Sequence, residues 1–206
     1  MDIELDNGFK LPLMESFYSI QGEGFYTGHA AHFLRIGGCD VGCHWCDVKE
    51  SWDPQIHPLT LVDDIISGCD ISKTSTVVVT GGEPLMWNME RLTQLLKRNR
   101  FITHLETSGS YILTGDWDWI CLSPKKNQMP LSAIKPSVDE LKIIIHNNHD
   151  FIFAEEQRDG LSEHCKLYLQ PEWSVRDKML PLIIDYVMKH SDWRISLQTH
   201  KYLNIP

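Results

Sequence analysis

Three cysteines fall within eight positions, in the run Cys39-Asp-Val-Gly-Cys43-His-Trp-Cys46. Thiolates at C-x3-C-x2-C spacing can reach one metal centre from a single loop, and Gly42 eases the bend. A four-iron cubane held by three cysteines keeps one iron without a protein ligand. Such an open position is what a site needs to bind a small ligand. Structural zinc is the alternative. It requires a fourth ligand, and His44 and Asp47 are near but awkwardly placed in the same short loop. Spacing favours iron–sulfur without excluding zinc. Cys69, Cys121 and Cys165 are scattered and read as small core residues.

A second candidate is Thr80-Gly81-Gly82-Glu83-Pro84, which follows the apolar run Val77-Val78-Val79. Alone, such a segment is usually a turn. Its position gains meaning from the elements around it. Short β-rich runs recur at 31–36, 76–80, 101–106, 119–122, 141–145, 165–170 and 193–197. Val77–Val79 and Ile143-Ile144-Ile145 are continuously apolar, as in strands buried on both faces of a parallel sheet. Helical periodicity appears at 61–67, 89–99 and 178–190. The alternation predicts an α/β fold, and the helices are too few for a full (β/α)8 barrel. We expect a single domain spanning 1–206: a partial, open TIM-like barrel of about six parallel strands with few helices. Ligands gather at the C-terminal strand ends in such folds. Gly37-Gly38-Cys39, Gly81-Gly82-Glu83, Thr107-Ser108-Gly109 and Ser123-Pro124-Lys125 all stand at those ends.

Bulk properties narrow the function classes. The chain has 206 residues, 42% hydrophobic and 23% charged, with a net charge of −9. That charge argues against general nucleic-acid affinity, which needs basic patches. Lys125-Lys126 with Lys135 is the one modest basic candidate. Residues 1–6 show neither the basic nor the apolar region of a secretory signal, and no apolar run is long enough to span a bilayer. A cytoplasmic protein without membrane or nucleic-acid partners is expected.

The cysteine run, with Trp45 in its aromatic position, and the Gly-Gly-Glu-Pro segment about forty residues on resemble the two signatures of radical S-adenosylmethionine (SAM) enzymes. The segment 15–24, containing Gln21-Gly22-Glu23, is more specific. Together with Arg35-Ile-Gly-Gly-Cys39, Glu106-Thr107-Ser108-Gly109, Ser123-Pro124-Lys125, Glu140-Leu141-Lys142, Gln170-Pro171 and 196–202, it closely resembles the 7-carboxy-7-deazaguanine synthase family of queuosine biosynthesis. The resemblance covers essentially the whole chain.

The resemblance implies a [4Fe–4S] cluster on Cys39, Cys43 and Cys46, with SAM as a regenerated cofactor. It implies conversion of 6-carboxy-5,6,7,8-tetrahydropterin to 7-carboxy-7-deazaguanine with loss of ammonia, the SAM-derived radical carrying the chemistry. Substrate contacts would come from Ile20, Gln21, Gly22, Arg35, Thr80 and Pro206, whose terminal carboxylate reaches the pterin in the family. Glu23 and His200 lie in matching motifs, with packing or capping as the other reading. SAM contacts would come from Trp45, Cys46, Asp47, Gly82, Ser123, Pro124, Lys125, Gln170, Pro171, Glu172 and Trp173. The resemblance also implies a flavodoxin-like electron donor and a homodimer. One departure stands out. Family members carry threonine after Cys-Asp, where its hydroxyl helps hold Mg²⁺ near the substrate carboxylate; Val48 offers no oxygen, and Mg²⁺ demands oxygen ligands. Two rival readings are another small radical SAM protein, such as an activating enzyme, and a zinc-stabilised module without catalysis.

Overall fold

The computed structural model describes residues 7–206; the N-terminal residues that bear on a secretory signal lie outside that range. Nine strands form one open sheet in the order β3-β1-β2-β4-β5-β6-β7-β8-β9. They are β1 (Lys10–Ile20), β2 (Ala30–Ile36), β3 (Leu59–Leu61), β4 (Thr76–Gly81), β5 (Ile102–Thr107), β6 (Trp119–Leu122), β7 (Glu140–Ile145), β8 (Lys166–Pro171) and β9 (Trp193–Ile195). From β2 to β9 every neighbouring pair is parallel, which makes seven parallel strands where the sequence suggested about six. β1 adds an antiparallel edge, pairing β2 on one side and β3 on the other. This long strand escapes the sequence reading because Glu15, Ser16, Tyr18 and Ser19 interrupt its apolar residues.

Helices α1 (Val62–Ser67), α2 (Glu90–Arg98) and α4 (Arg176–Lys189) correspond to the three periodic segments. Two more are present, α3 (His149–Gln157) and α5 (Thr199–Leu203). Helices α1 to α4 cover one face of the sheet. Val77, Val79, Leu34 and Ile36 meet Leu92 and Leu96 of α2 and Val62 and Ile65 of α1. Leu141, Ile143, Ile145 and Leu169 meet Phe153 and Ala154 of α3 and Met179 and Ile183 of α4. Burying these branched side chains drives the fold at roughly 1.5–3 kcal/mol each. Cys121 is buried, while Cys69 and Cys165 are half-buried and packed against these cores.

Strand alternation sends the intervening residues to the opposite face. Arg35 of β2 pairs with Thr80 of β4, and Glu106 of β5 with Cys121 of β6, which in turn pairs with Glu140 of β7. The inner face thus carries polar groups where the outer face carries core. The turn after β1 crosses this inner face. Gly24 N–H donates to Ser196 Oγ at 2.9 Å and Phe25 N–H to Glu140 Oε2 at 3.1 Å. Gly24 has φ +66°, and a Cβ there would sit 1.9 Å from Glu140 Oε1. Only glycine lets the turn approach so closely.

Candidate active site

The cysteine loop leaves the end of β2 and is fastened on several sides. Trp87 Nε1 donates to Gly37 O at 2.9 Å, and Glu83 N–H donates to Gly38 O at 2.8 Å. Tyr111 donates its hydroxyl to Asp40 at 2.5 Å, and Asn127 Nδ2 donates to Gly42 O at 3.0 Å. The neighbouring Gly81-Gly82 turn lies flush against the loop. A Cβ on Gly82 would fall 2.3 Å from Gly38 O. Behind it, the buried Glu83 carboxylate accepts from Leu85 N–H, Thr107 Oγ1, Ser108 N–H and Ser108 Oγ at 2.5–3.0 Å. Glu83 therefore locks the end of β4 to the end of β5.

Cys39, Cys43 and Cys46 line one wall of a cavity of about 910 Å³. Burial raises the thiol pKa of Cys39 and Cys43; at Cys43 the Lys125 ammonium offsets part of that effect. Metal cations favour the thiolate, so iron binding would reverse the penalty. Among the described residues, no three His, Cys, Asp or Glu side chains converge to hold a single ion. A cubane takes each thiolate on a different iron and needs only three, so three cysteines along one cavity wall fit it without the fourth ligand that structural zinc requires. Lys125 reaches across the cavity: its ammonium donates to Ser123 Oγ at 2.7 Å and lies 5.7 Å from the Trp45 ring centroid. Burial lowers its pKa.

A second cavity, of about 950 Å³, adjoins the first. They share Glu23, Asp47, Val48, Thr80, Glu106 and Gln198. Within this common wall, Glu106 accepts from Gln21 Nε2 at 2.8 Å and Thr80 Oγ1 at 3.4 Å. Lys142, only 4% exposed, donates to Glu23 at 2.5 Å and lies 3.9 Å from Glu106. Burial alone would raise the Glu23 pKa, but Lys142 overrides it and the value falls to about 2. The carboxylates likewise hold the Lys142 pKa well above its ordinary value despite desolvation. Burial lowers the pKa of the adjacent His200.

Comparison with known proteins decides the family. Residues 20–143 match the model of a 4Fe-4S single cluster domain. A 7-carboxy-7-deazaguanine synthase of Flavobacterium psychrophilum is 57% identical over 100% of this chain and 98% of its own. The synthase so named from Synechocystis is 48% identical over 94% and 93%, respectively. The crystal structure of QueE from Escherichia coli superposes with a TM-score of 0.82 at 29% identity, covering 94% of this chain and 96% of that one. The chain belongs to the 7-carboxy-7-deazaguanine synthase family.

The residues that resemblance to this synthase family assigns to substrate come together. Ile20, Gln21, Gly22, Arg35, Thr80 and Pro206 all line the second cavity, as do Glu23 and His200. Arg35 spends its Nε on Glu15 at 2.7 Å, an ion pair across the β1–β2 edge. The residues assigned to SAM divide. Trp45, Cys46, Asp47, Gly82, Ser123, Lys125 and Gln170 line the first cavity. Pro124 instead faces a neighbouring pocket with His44 and His146. Pro171 is buried at the end of β8. Glu172 caps the short helix after β8, accepting from Ser174 N–H at 3.0 Å, and Trp173 packs edge-on against Tyr202.

Glu106 and Gln198 sit in the shared wall and Lys142 lines the first cavity beside it, yet the sequence reading gave them no role. Alternation within β5 and β7 was the available signal. Mg²⁺ finds a poor fit here. Val48 lines both cavities and its side chain has no oxygen, and the adjacent Asp47 Oδ2 already accepts from Gln198 Nε2 at 3.1 Å and pairs with the Lys201 ammonium.

Proposed function

We propose that this chain is a radical SAM 7-carboxy-7-deazaguanine synthase, converting 6-carboxy-5,6,7,8-tetrahydropterin to 7-carboxy-7-deazaguanine with loss of ammonia. The observation that carries the reading is two adjoining cavities with one wall in common, one bounded by three cysteines and the other by paired donors and acceptors. Cys39, Cys43 and Cys46 would hold the cluster; Trp45, Gly82, Ser123, Lys125 and Gln170 would hold SAM. When bound, these groups together supply the one-electron chemistry that removes and returns a substrate hydrogen atom.

The protein's share is orientation. Arg35 offers its terminal guanidinium nitrogens to the pterin's carboxylate or ring oxygen. Gln21, Glu106 and Thr80 form a bonded set whose remaining donors and acceptors suit the pterin's polar edge. Lys142 stays protonated beside Glu23, so a positive charge is fixed at the first cavity next to a carboxylate that lines both. Glu83 and Thr107 keep the first cavity's rim rigid. A flavodoxin-like donor and a homodimeric state complete the reading and rest on family resemblance.

The test is anaerobic turnover with reconstituted protein, SAM and dithionite. One deazapurine and one ammonia should form per substrate, with SAM conserved. Stoichiometric SAM consumption without a deazapurine would point to the activating-enzyme reading instead.

A further inference from the structure

The Val48 side chain offers no oxygen to a divalent ion, and the carboxylate of its neighbour Asp47 is already engaged, but the neighbourhood does not lack a cation. Lys201 of α5 lines the second cavity together with Arg35. Its ammonium is paired with Asp47, and a face of the Trp173 ring lies 4.9 Å from it. The Lys201 side chain is 22% exposed. These contacts come from two separate segments, so the ammonium is fixed and not swinging in solvent.

We propose that Lys201 is the cation that receives the substrate's carboxylate, facing Arg35 across the second cavity and taking the place of a divalent metal. The proposal rests on the reading that this cavity takes a carboxylated pterin. An ammonium has three donors. Asp47 uses one, leaving others for an incoming carboxylate. Among the described hydrogen bonds, Arg35 engages only Nε, so its terminal nitrogens are available to the same anion. A divalent ion placed beside Val48 would meet the Lys201 charge at close range. Asp47, the adjacent carboxylate, is already neutralised by that lysine. Charge and ligand chemistry therefore oppose a metal at this point and favour a built-in ammonium.

The proposal separates from the underlying reading in a binding experiment. The reconstituted, SAM-loaded protein is titrated with 6-carboxypterin, a stable analogue carrying the carboxylate, and with 6-methylpterin, which lacks it. Pterin fluorescence reports binding, in metal-depleted buffer and in millimolar Mg²⁺. The wild type should bind 6-carboxypterin equally well in both buffers, and added Mn²⁺ should remain free by electron paramagnetic resonance. Lys201→Met should weaken 6-carboxypterin by about tenfold or more, the loss of one charge-assisted hydrogen bond, while 6-methylpterin is unaffected. Lys201→Arg keeps the charge and should keep most of the affinity, which guards against a misfolded Met variant. A wild-type affinity for 6-carboxypterin that depends on Mg²⁺ would overturn this proposal alone. So would equal weakening of both pterins by Lys201→Met, which marks a structural role. Failure of the wild type to bind either pterin would overturn the reading of the cavity, and this proposal with it.

Discussion

Replacing Lys142 by methionine preserves most of the side chain's volume and removes a cation buried among carboxylates. Glu23 lies 2.5 Å from the ammonium and Glu106 3.9 Å. The drop in the Glu23 pKa from 4.5 to about 2 is equivalent to about 3 kcal/mol of favourable interaction. Breaking a buried pair by deleting one partner costs about 3–5 kcal/mol, so the two estimates agree. The pH dependence follows from the direction of each shift. In the wild type, the Glu23 contribution is complete above pH 4.5 and declines only as pH falls toward 2, so it is constant between pH 8 and 6. In the variant, burial without a counter-charge raises the carboxyl pKa above its unfolded value. The folded variant then binds the extra proton and gains stability as pH falls. Urea unfolding of both proteins, followed anaerobically by tryptophan fluorescence, should show a deficit of about 3–5 kcal/mol at pH 8. That deficit should shrink by about 1 kcal/mol or more at pH 6. A variant within about 1 kcal/mol of wild type at pH 8, or a deficit that grows on acidification, would refute the reasoning.

Replacing any one of Cys39, Cys43 or Cys46 by Ala should abolish the visible absorption and the activity together, whereas Cys121→Ala should keep both at about 1–2 kcal/mol of packing loss; iron and sulfide analysis decides. Gly82→Ala drives a methyl onto Gly38 O and should lower iron incorporation, measured against reconstituted wild type, even though the cysteines are intact. Glu83→Gln turns an acceptor of four hydrogen bonds into a group that must point a donor at one of those donors. It should cost about 1–3 kcal/mol in thermal or urea unfolding and loosen the first cavity, raising the KM for SAM.

The parallel strands were readable because they are buried on both faces: Val77, Val78 and Val79 are all 1% exposed or less. β1 was not, since an edge strand facing solvent and a cavity mixes polar and apolar residues. α3 was missed because Phe151, Ile152 and Phe153 form an apolar run without helical spacing, and Ile152 is 62% exposed. α5 is five residues long, too short for periodicity to show. The metal loop was legible because its spacing is itself the chemistry. Gln21 and Arg35 were assigned to substrate through family resemblance alone. Glu106 and Lys142 stood in segments matching the family, and alternation could place them on the inner face, but being charged residues inside β-rich runs they carried no role of their own. Their facing direction depends on partners 85 and 119 positions away, respectively.

That contrast has a physical consequence for how the site forms. Cys39, Cys43 and Cys46 close a loop of eight residues, so bringing them round a metal requires little chain ordering. The second cavity is different. Its turn bonds to Lys142 across 119 positions and to Ser196 across 172, and Gly22 O accepts from Thr199 N–H across the whole sheet. None of these bonds can form until β7, β8 and β9 have been added to the sheet. Closing such long loops is entropically unfavourable until the nonlocal contacts compensate for it. The second cavity is therefore complete only when the last strand is in place, whereas the fastenings of the cysteine loop, from Trp87, Tyr111 and Asn127, all precede β7. Under the proposed function, the chemistry at the cysteines and the selectivity of the second cavity are thus set by different parts of the fold. Glu23 joins them: it lines both cavities, and its partner Lys142 stands on the strand next to the last two.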